Sequence, residues 1–185
     1  MTDSFDSATA RGTLRVLQLA HDRWQDVCAR LHGLKFEDLD GREEVAHVVR
    51  GPAVETLMWA RGLDDFCRGM PKNGRATQAV LDGYEAGREH LSGLVDGARY
   101  ATNRSVHQLL ALMRPLGAFV LPMKFPFGFD HFGGVKWLHE QHLPPADQEQ
   151  PGQGRLRVAY VNHLASRDVG PTLDALRAWF EQQLA

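Results

Sequence analysis

The stretch "ARYATNRSVHQLL", residues 98–110, sets Arg99, Asn103 and His107 at steps of four, with Arg104 beside Asn103. An α-helix turns about 100° per residue, so positions i, i+4 and i+8 stay on one slowly drifting face. On that face a neutral-pKa histidine would move a 2′-hydroxyl or leaving-group proton. An arginine would hold a phosphate through paired hydrogen bonds, and the Asn103 amide would orient a base or sugar. Metal-independent RNA cleavage needs such a set. The alternative is a structural one, in which His107 pairs with a carboxylate or backbone oxygen and the arginines are solvated.

A second constellation is acidic. Glu55, Asp64 and Asp65 flank the apolar stripe of "ETLMWARGLDDF". A carboxylate from that helix would fix the tautomer of His107. Equally, Asp64 and Asp65 have Arg61 and Arg68 at helical spacing, which gives local ion pairs. His131, His139, His142 and His163 crowd the C-terminal half, but "HEQH" is not HExxH, and no metal is expected. The chain has no GxxxxGK[ST] loop, no strand–GxGxxG–helix and no GxSxG elbow, so no cofactor is expected either.

These residues must be held by helices. Residues 1–11 read as a flexible tail, followed by one domain over 12–185. Leu14, Leu17, Trp24, Cys28 and Leu31 repeat near helical spacing, and "HG" at 32–33 stops that helix. Pro52 suits the start of a second helix, with Leu57, Leu63 and Phe66 in the core and an end near Gly69. From Arg75 to about Met113 no proline intervenes. A long helix is expected there, weakened by Gly83, Gly87, Gly93 and Gly97, and "RPLG" ends it.

The pattern then changes to period two. Phe119, Leu121, Met123, Phe125, Phe127 and Phe129 alternate with Val120, Pro122, Lys124, Pro126 and Gly128, as in an extended edge strand. "FGGVKWL" would return as a second strand, giving a hairpin insertion over about 118–138. "HLPPADQEQPGQG" reads as a surface loop. In the last helix Leu173, Leu176, Phe180 and Leu184 share a face. The expected fold is mainly α: a helical bundle with a short extended or hairpin insertion.

"TNRSVH" on a late helix of such a bundle resembles the RNxxxH form of the Rx4–6H motif in HEPN-domain proteins. Asn103 matches the motif's Asn and His107 its His; Thr102 stands where the motif has Arg, leaving Arg99 or Arg104 to supply the charge. "RYATNRSVHQ" and "LPMKFPFGF" are also similar to segments of actinobacterial proteins of no assigned role. The HEPN resemblance implies a small helical domain, a homodimer with paired motif helices, and RNA binding or ribonuclease activity in bacterial toxin–antitoxin or defence systems. Thr102 makes a catalytically inactive interaction or scaffold module, acting with a cognate partner, the alternative. A small-molecule pocket beneath Phe125 and Phe127 is a third.

Composition bounds these readings. The net charge of −2 sets up no global basic field, so any RNA contact would be local. Cys28 and Cys67 lie far apart in apolar company, as buried thiols of a reducing compartment do. No secretory leader or membrane span is read, so a cytoplasmic location is expected.

Overall fold

The computed structural model describes residues 3–39, 41–69, 82, 84–87, 91–107, 113–118, 131–143, 145, 149 and 151–184. Over these it is mainly helical: α1 (Asp3–Leu31), α2 (Arg42–Gly69), α3 (Ser92–His107), α4 (Gln153–His163) and α5 (Val169–Leu184). Strands β1 (Met113–Ala118) and β2 (His131–Trp137) form an antiparallel pair between α3 and α4. This is the expected bundle with its hairpin.

Apolar residues at helical spacing explain the long helices. Leu17, Ala20 and Trp24 of α1 are buried, with Leu14, Val27, Cys28 and Leu31 packed against the same core. On α2 the buried stripe runs Val45, Val49, Ala53, Leu57, Ala60, Leu63 and Cys67. α5 contributes Leu173, Leu176 and Phe180. The helix α1 ends at Gly33, whose φ of 77° is the left-handed geometry that glycine adopts without a Cβ clash.

Two helix starts differ from expectation. α1 begins at Asp3, inside the stretch read as a tail; Ala8-Thr-Ala-Arg11 contains no helix breaker, and Ala10 is buried. α2 begins ten residues before Pro52, which lies inside it. An interior proline costs about 3 kcal/mol. Val45 and Val49, both buried upstream of it, each return about 1.5–3 kcal/mol, enough to carry the helix through. Thr56 Oγ1 donates to the Pro52 carbonyl at 2.8 Å.

The hairpin also starts earlier than the period-two pattern suggests. "RPLG", read as a helix stop, is the heart of β1. Its register pairs Met113 with Trp137, Pro115 with Val135 and Leu116 with Gly134; a bulge follows, then Gly117 pairs with Phe132. Each strand of a two-stranded pair is an edge, which is where Pro115 is tolerated. The alternating row Phe119–Phe129, with the cavity expected under Phe125 and Phe127, lies outside the described residues.

β2 joins the two halves of the bundle. Phe132 exchanges backbone hydrogen bonds with the α1–α2 connection, to Gly33 and Leu34. Trp137 does the same with Ser166 and Arg167 of the α4–α5 turn, and its indole donates to Thr172 Oγ1 at 3.0 Å. On the far side, α3 and α4 approach closely. A Cβ on Gly97 would stand 3.2 Å from Tyr160 Cα and 3.3 Å from the Ala159 carbonyl, so any larger residue would push α4 outward. The glycines that weaken α3 as an isolated helix are what let α4 lie against it.

Candidate functional site

Arg99, Asn103 and Arg104 all lie on α3, as the spacing requires, and His107 is its last residue. The His107 side chain lies outside the described residues. Arg99 points at α2, where its Nη1 donates to Asp64 Oδ2 and Asp65 Oδ1, each at 2.7 Å. Asp64 is fully buried and also accepts from Tyr84 Oη at 3.0 Å. Burial by itself would lower the Arg99 pKa, but the hydrogen bonds and charges of Asp65 and Asp64 raise it above the ordinary arginine value. Burial and the Asp64 charge push Tyr84 well above the usual phenol range.

Asn103 belongs to the same seam. Its Oδ1 accepts from Arg61 Nη1 of α2, and its Nδ2 faces Gln153 Oε1 of α4 at 3.5 Å. Arg61 Nε lies 3.6 Å from Asp65, the i,i+4 pair anticipated from sequence. Two arginines therefore face two aspartates across α2 and α3, and the seam carries no net charge. Between these helices and α5 is a void of about 10 Å³ lined by Leu57, Ala60, Arg61, Val95, Ala98, Arg99 and Leu176, room for one water. Thr102 is buried, and its hydroxyl donates to the Ala98 carbonyl one turn back. Glu55 pairs with Arg23 of α1 instead of reaching α3.

Arg104 takes the other side of α3. It is 2 % exposed, and its Nε and Nη1 are buried without a hydrogen-bond partner. Its guanidinium lies 5.9 Å from the centre of the Tyr100 ring. The Tyr100 hydroxyl donates to Glu149 Oε1 at 2.7 Å, and Arg157 Nε of α4 is 3.0 Å from the same oxygen. Burial, then the hydrogen bond and charge of Glu149, push Tyr100 up to about 12, while Arg104 and Arg157 pull the other way. Tyr100, Glu149 and Arg157 were not singled out from sequence. The signal for Arg104 was available: Gly93, Gly97, Tyr100 and Arg104 step by four, three and four along the stripe that α4 covers.

Two further features bear on chemistry. His21 is buried, with Nε2 2.7 Å from Asp174 Oδ1 and Nδ1 3.1 Å from Arg177 Nη1. Arginine only donates, so Nδ1 accepts and the proton sits on Nε2, toward the carboxylate. Both ring nitrogens are thereby used within the fold. Burial raises the Cys28 thiol to about 11 and the Cys67 thiol to about 12, so neither supplies a thiolate at neutral pH.

His139 and His142 sit on an exposed short turn, where His139 Nδ1 accepts from the Gln141 amide. Among the described residues no three metal-binding side chains converge, and no helix is long and apolar enough to cross a membrane.

A different surface is apolar and open. Val48, Met58 (48 % exposed) and Trp59 (36 %) project from α2, and Leu19 from α1. Beside them His47, Arg50, Gly51, Val54, Glu55 and Met58 line an open groove of about 370 Å³. In comparisons with protein-family models, curated proteins and solved structures, nothing matches this chain.

Proposed function

We propose that this chain is a catalytically silent helical interaction module that pairs with a second copy of itself through the outer face of α2. The observation that carries this reading is the shape of that face. A groove at Gly51 and Val54 lies about two turns from the protruding Met58 and Trp59. An antiparallel α2–α2′ crossing centred near Val54 sets Met58 of each copy over Gly51 of the other. Exposed apolar side chains then fill a groove that is already present, as a two-fold interface requires. Gly51 and Gly62 have open space where a Cβ would stand, so two backbones have room to approach.

This reading keeps the dimer that the HEPN resemblance implies and leaves out the ribonuclease. Phosphate stabilisation needs a cation whose charge is not already matched. Arg99 faces two carboxylates and Asn103 is held by Arg61, so the side of α3 that faces α2 offers little to a scissile phosphate.

Light scattering on the native chain should give a dimer mass, and Met58→Asp with Trp59→Asp a folded monomer with unchanged helical content. A native monomer at every concentration would overturn the pairing. Incubation with mixed RNA in EDTA tests the silence: cleavage by the native chain that is lost in His107→Ala would restore the ribonuclease.

A further inference from the structure

The side of α3 away from α2 carries a feature that dimerisation does not use. α3 and α4 run antiparallel in a register that can be followed step by step. Gly93 lies against His163, Gly97 against Tyr160, and Asn103 against Gln153. Arg104 therefore falls beside the first residue of α4.

That helix end has no cap from its own N-cap residue. Its N-cap is Gly152, with φ 85° and no side-chain cap, and its first turn contains no acidic residue. The first N–H groups of a helix lack partners within it and carry partial positive charge, a setting that favours an anion. On its own this is an ordinary helix end. What sets it apart is Arg104: a residue 98 % buried, with Nε and Nη1 unpartnered and its guanidinium over the Tyr100 ring, on the face of α3 that the register sets beside that end. A buried cation without a counter-charge is unfavourable, and an anion relieves it.

Among the described residues the surrounding charges are spoken for. Glu149 accepts from Tyr100 and pairs with Arg157; Arg157 also has the exposed Glu140 at 3.7 Å; Arg155 reaches Asp96 at 3.1 Å. None of these carboxylates meets Arg104. Glu149 shows that an anion is held next to the place, between α3 and the start of α4.

We infer that the junction of α3 with the N-terminus of α4 binds a phosphate group, held by Arg104 and the first-turn N–H groups of α4, with Glu149 as its built-in competitor. A phosphate suits the site better than a second carboxylate. The donors come from a side chain and from backbone, from different directions, and a tetrahedral anion offers three or more acceptor oxygens to a carboxylate's two. With phosphate bound, Arg104 gains its counter-charge, and the Glu149 carboxylate is repelled, freeing the Tyr100 hydroxyl to donate to the phosphate instead.

The test uses the full chain and inorganic phosphate, with sodium chloride at matched ionic strength as control. Thermal melting and titration calorimetry should show saturable stabilisation by phosphate and none by chloride. Arg104→Met should stay folded, by circular dichroism, and lose the response. Glu149→Gln should bind phosphate about tenfold more tightly, since one like-charge contact is removed. Absence of a phosphate-specific response in both the native chain and Glu149→Gln overturns the inference, as does a response that survives in Arg104→Met. The readout is phosphate binding and not association, so it succeeds or fails independently of the α2 interface.

Discussion

Arg99 and Arg104 leave the same helix five residues apart and meet opposite surroundings. Arg99 lies between two aspartates, one of them fully buried, in a seam whose charges cancel. Arg104 is more deeply buried than Arg99 and has an aromatic face but, among the described residues, no carboxylate. Burial magnifies both situations, because charge interactions strengthen as water is excluded. The arginine that looks accessible to a ligand is already neutralised, and the one hidden from solvent is chemically unfinished. Helical spacing groups the two residues; the carboxylates that α2 sets against Arg99, and that α4 lacks, separate them.

Replacing each with methionine is the most direct way to break the comparison. Arg99→Met takes the guanidinium away from the fully buried Asp64, and loss of one member of a buried pair costs about 3 kcal/mol. Arg104→Met removes an unpaired cation from an apolar setting and should raise stability by about 1 kcal/mol. Urea unfolding at pH 7 reads both. Equal losses would mean that Arg104 has a counter-charge after all and that the two sides of α3 do not differ.

The close approach that buries Arg104 can be loosened separately. Gly97→Ala sets a Cβ 2.6 Å from Leu164 Cδ1 and 3.2 Å from the Tyr160 backbone, which α4 can relieve only by moving away. The expected loss is about 1–2 kcal/mol, overpacking less the gain in helix propensity. Gly93→Ala meets the His163 ring first, an exposed side chain free to rotate, so it should gain up to about 1 kcal/mol. Similar losses at both sites in thermal melts would show that α4 is not anchored at Gly97.

How much of this was legible beforehand follows the same division between local and long-range causes. The stripes of α1, α2 and α5 are local periodicities, and Leu17, Leu57, Leu63, Leu173 and Phe180 went where that spacing puts them. The α2 start was not legible, because Pro52 is a local stop signal that burial of Val45 and Val49 overrides. β1 was hidden for a similar reason: Met113–Ala118 has no alternation and becomes a strand by pairing with β2. Asp64, Asp65, Arg61 and Arg99 were all named from sequence, yet their joint pairing depends on the angle at which α2 meets α3. Glu149 lies 45 residues from Arg104 in a segment that reads as plain loop, and nothing local ties it to Tyr100.

Arg177 supplies the third case, an arginine that is well matched but near water. Its Nε donates to Glu181 at 2.8 Å and its Nη1 to Asp22 at 2.6 Å, on the outer edge where α5 meets α1. Gln18 donates to the same Glu181 oxygen, and these contacts hold the Glu181 carboxyl below its usual value. A carboxyl whose folded pKa is depressed contributes stability above its unfolded value, near 4.5, and loses it as the pH falls through the folded value. Both partners are more than a quarter exposed, so solvent screening limits the contribution to about 0.5 kcal/mol. Glu181→Gln, which keeps an acceptor for Arg177, should therefore be slightly less stable than the native chain at pH 7. Below pH 4.5 the difference should close. Urea midpoints measured across that range decide it: a gap that stays constant with pH would show that the ion pair contributes nothing. Matched charge would then count only where burial enforces it, as at Arg99.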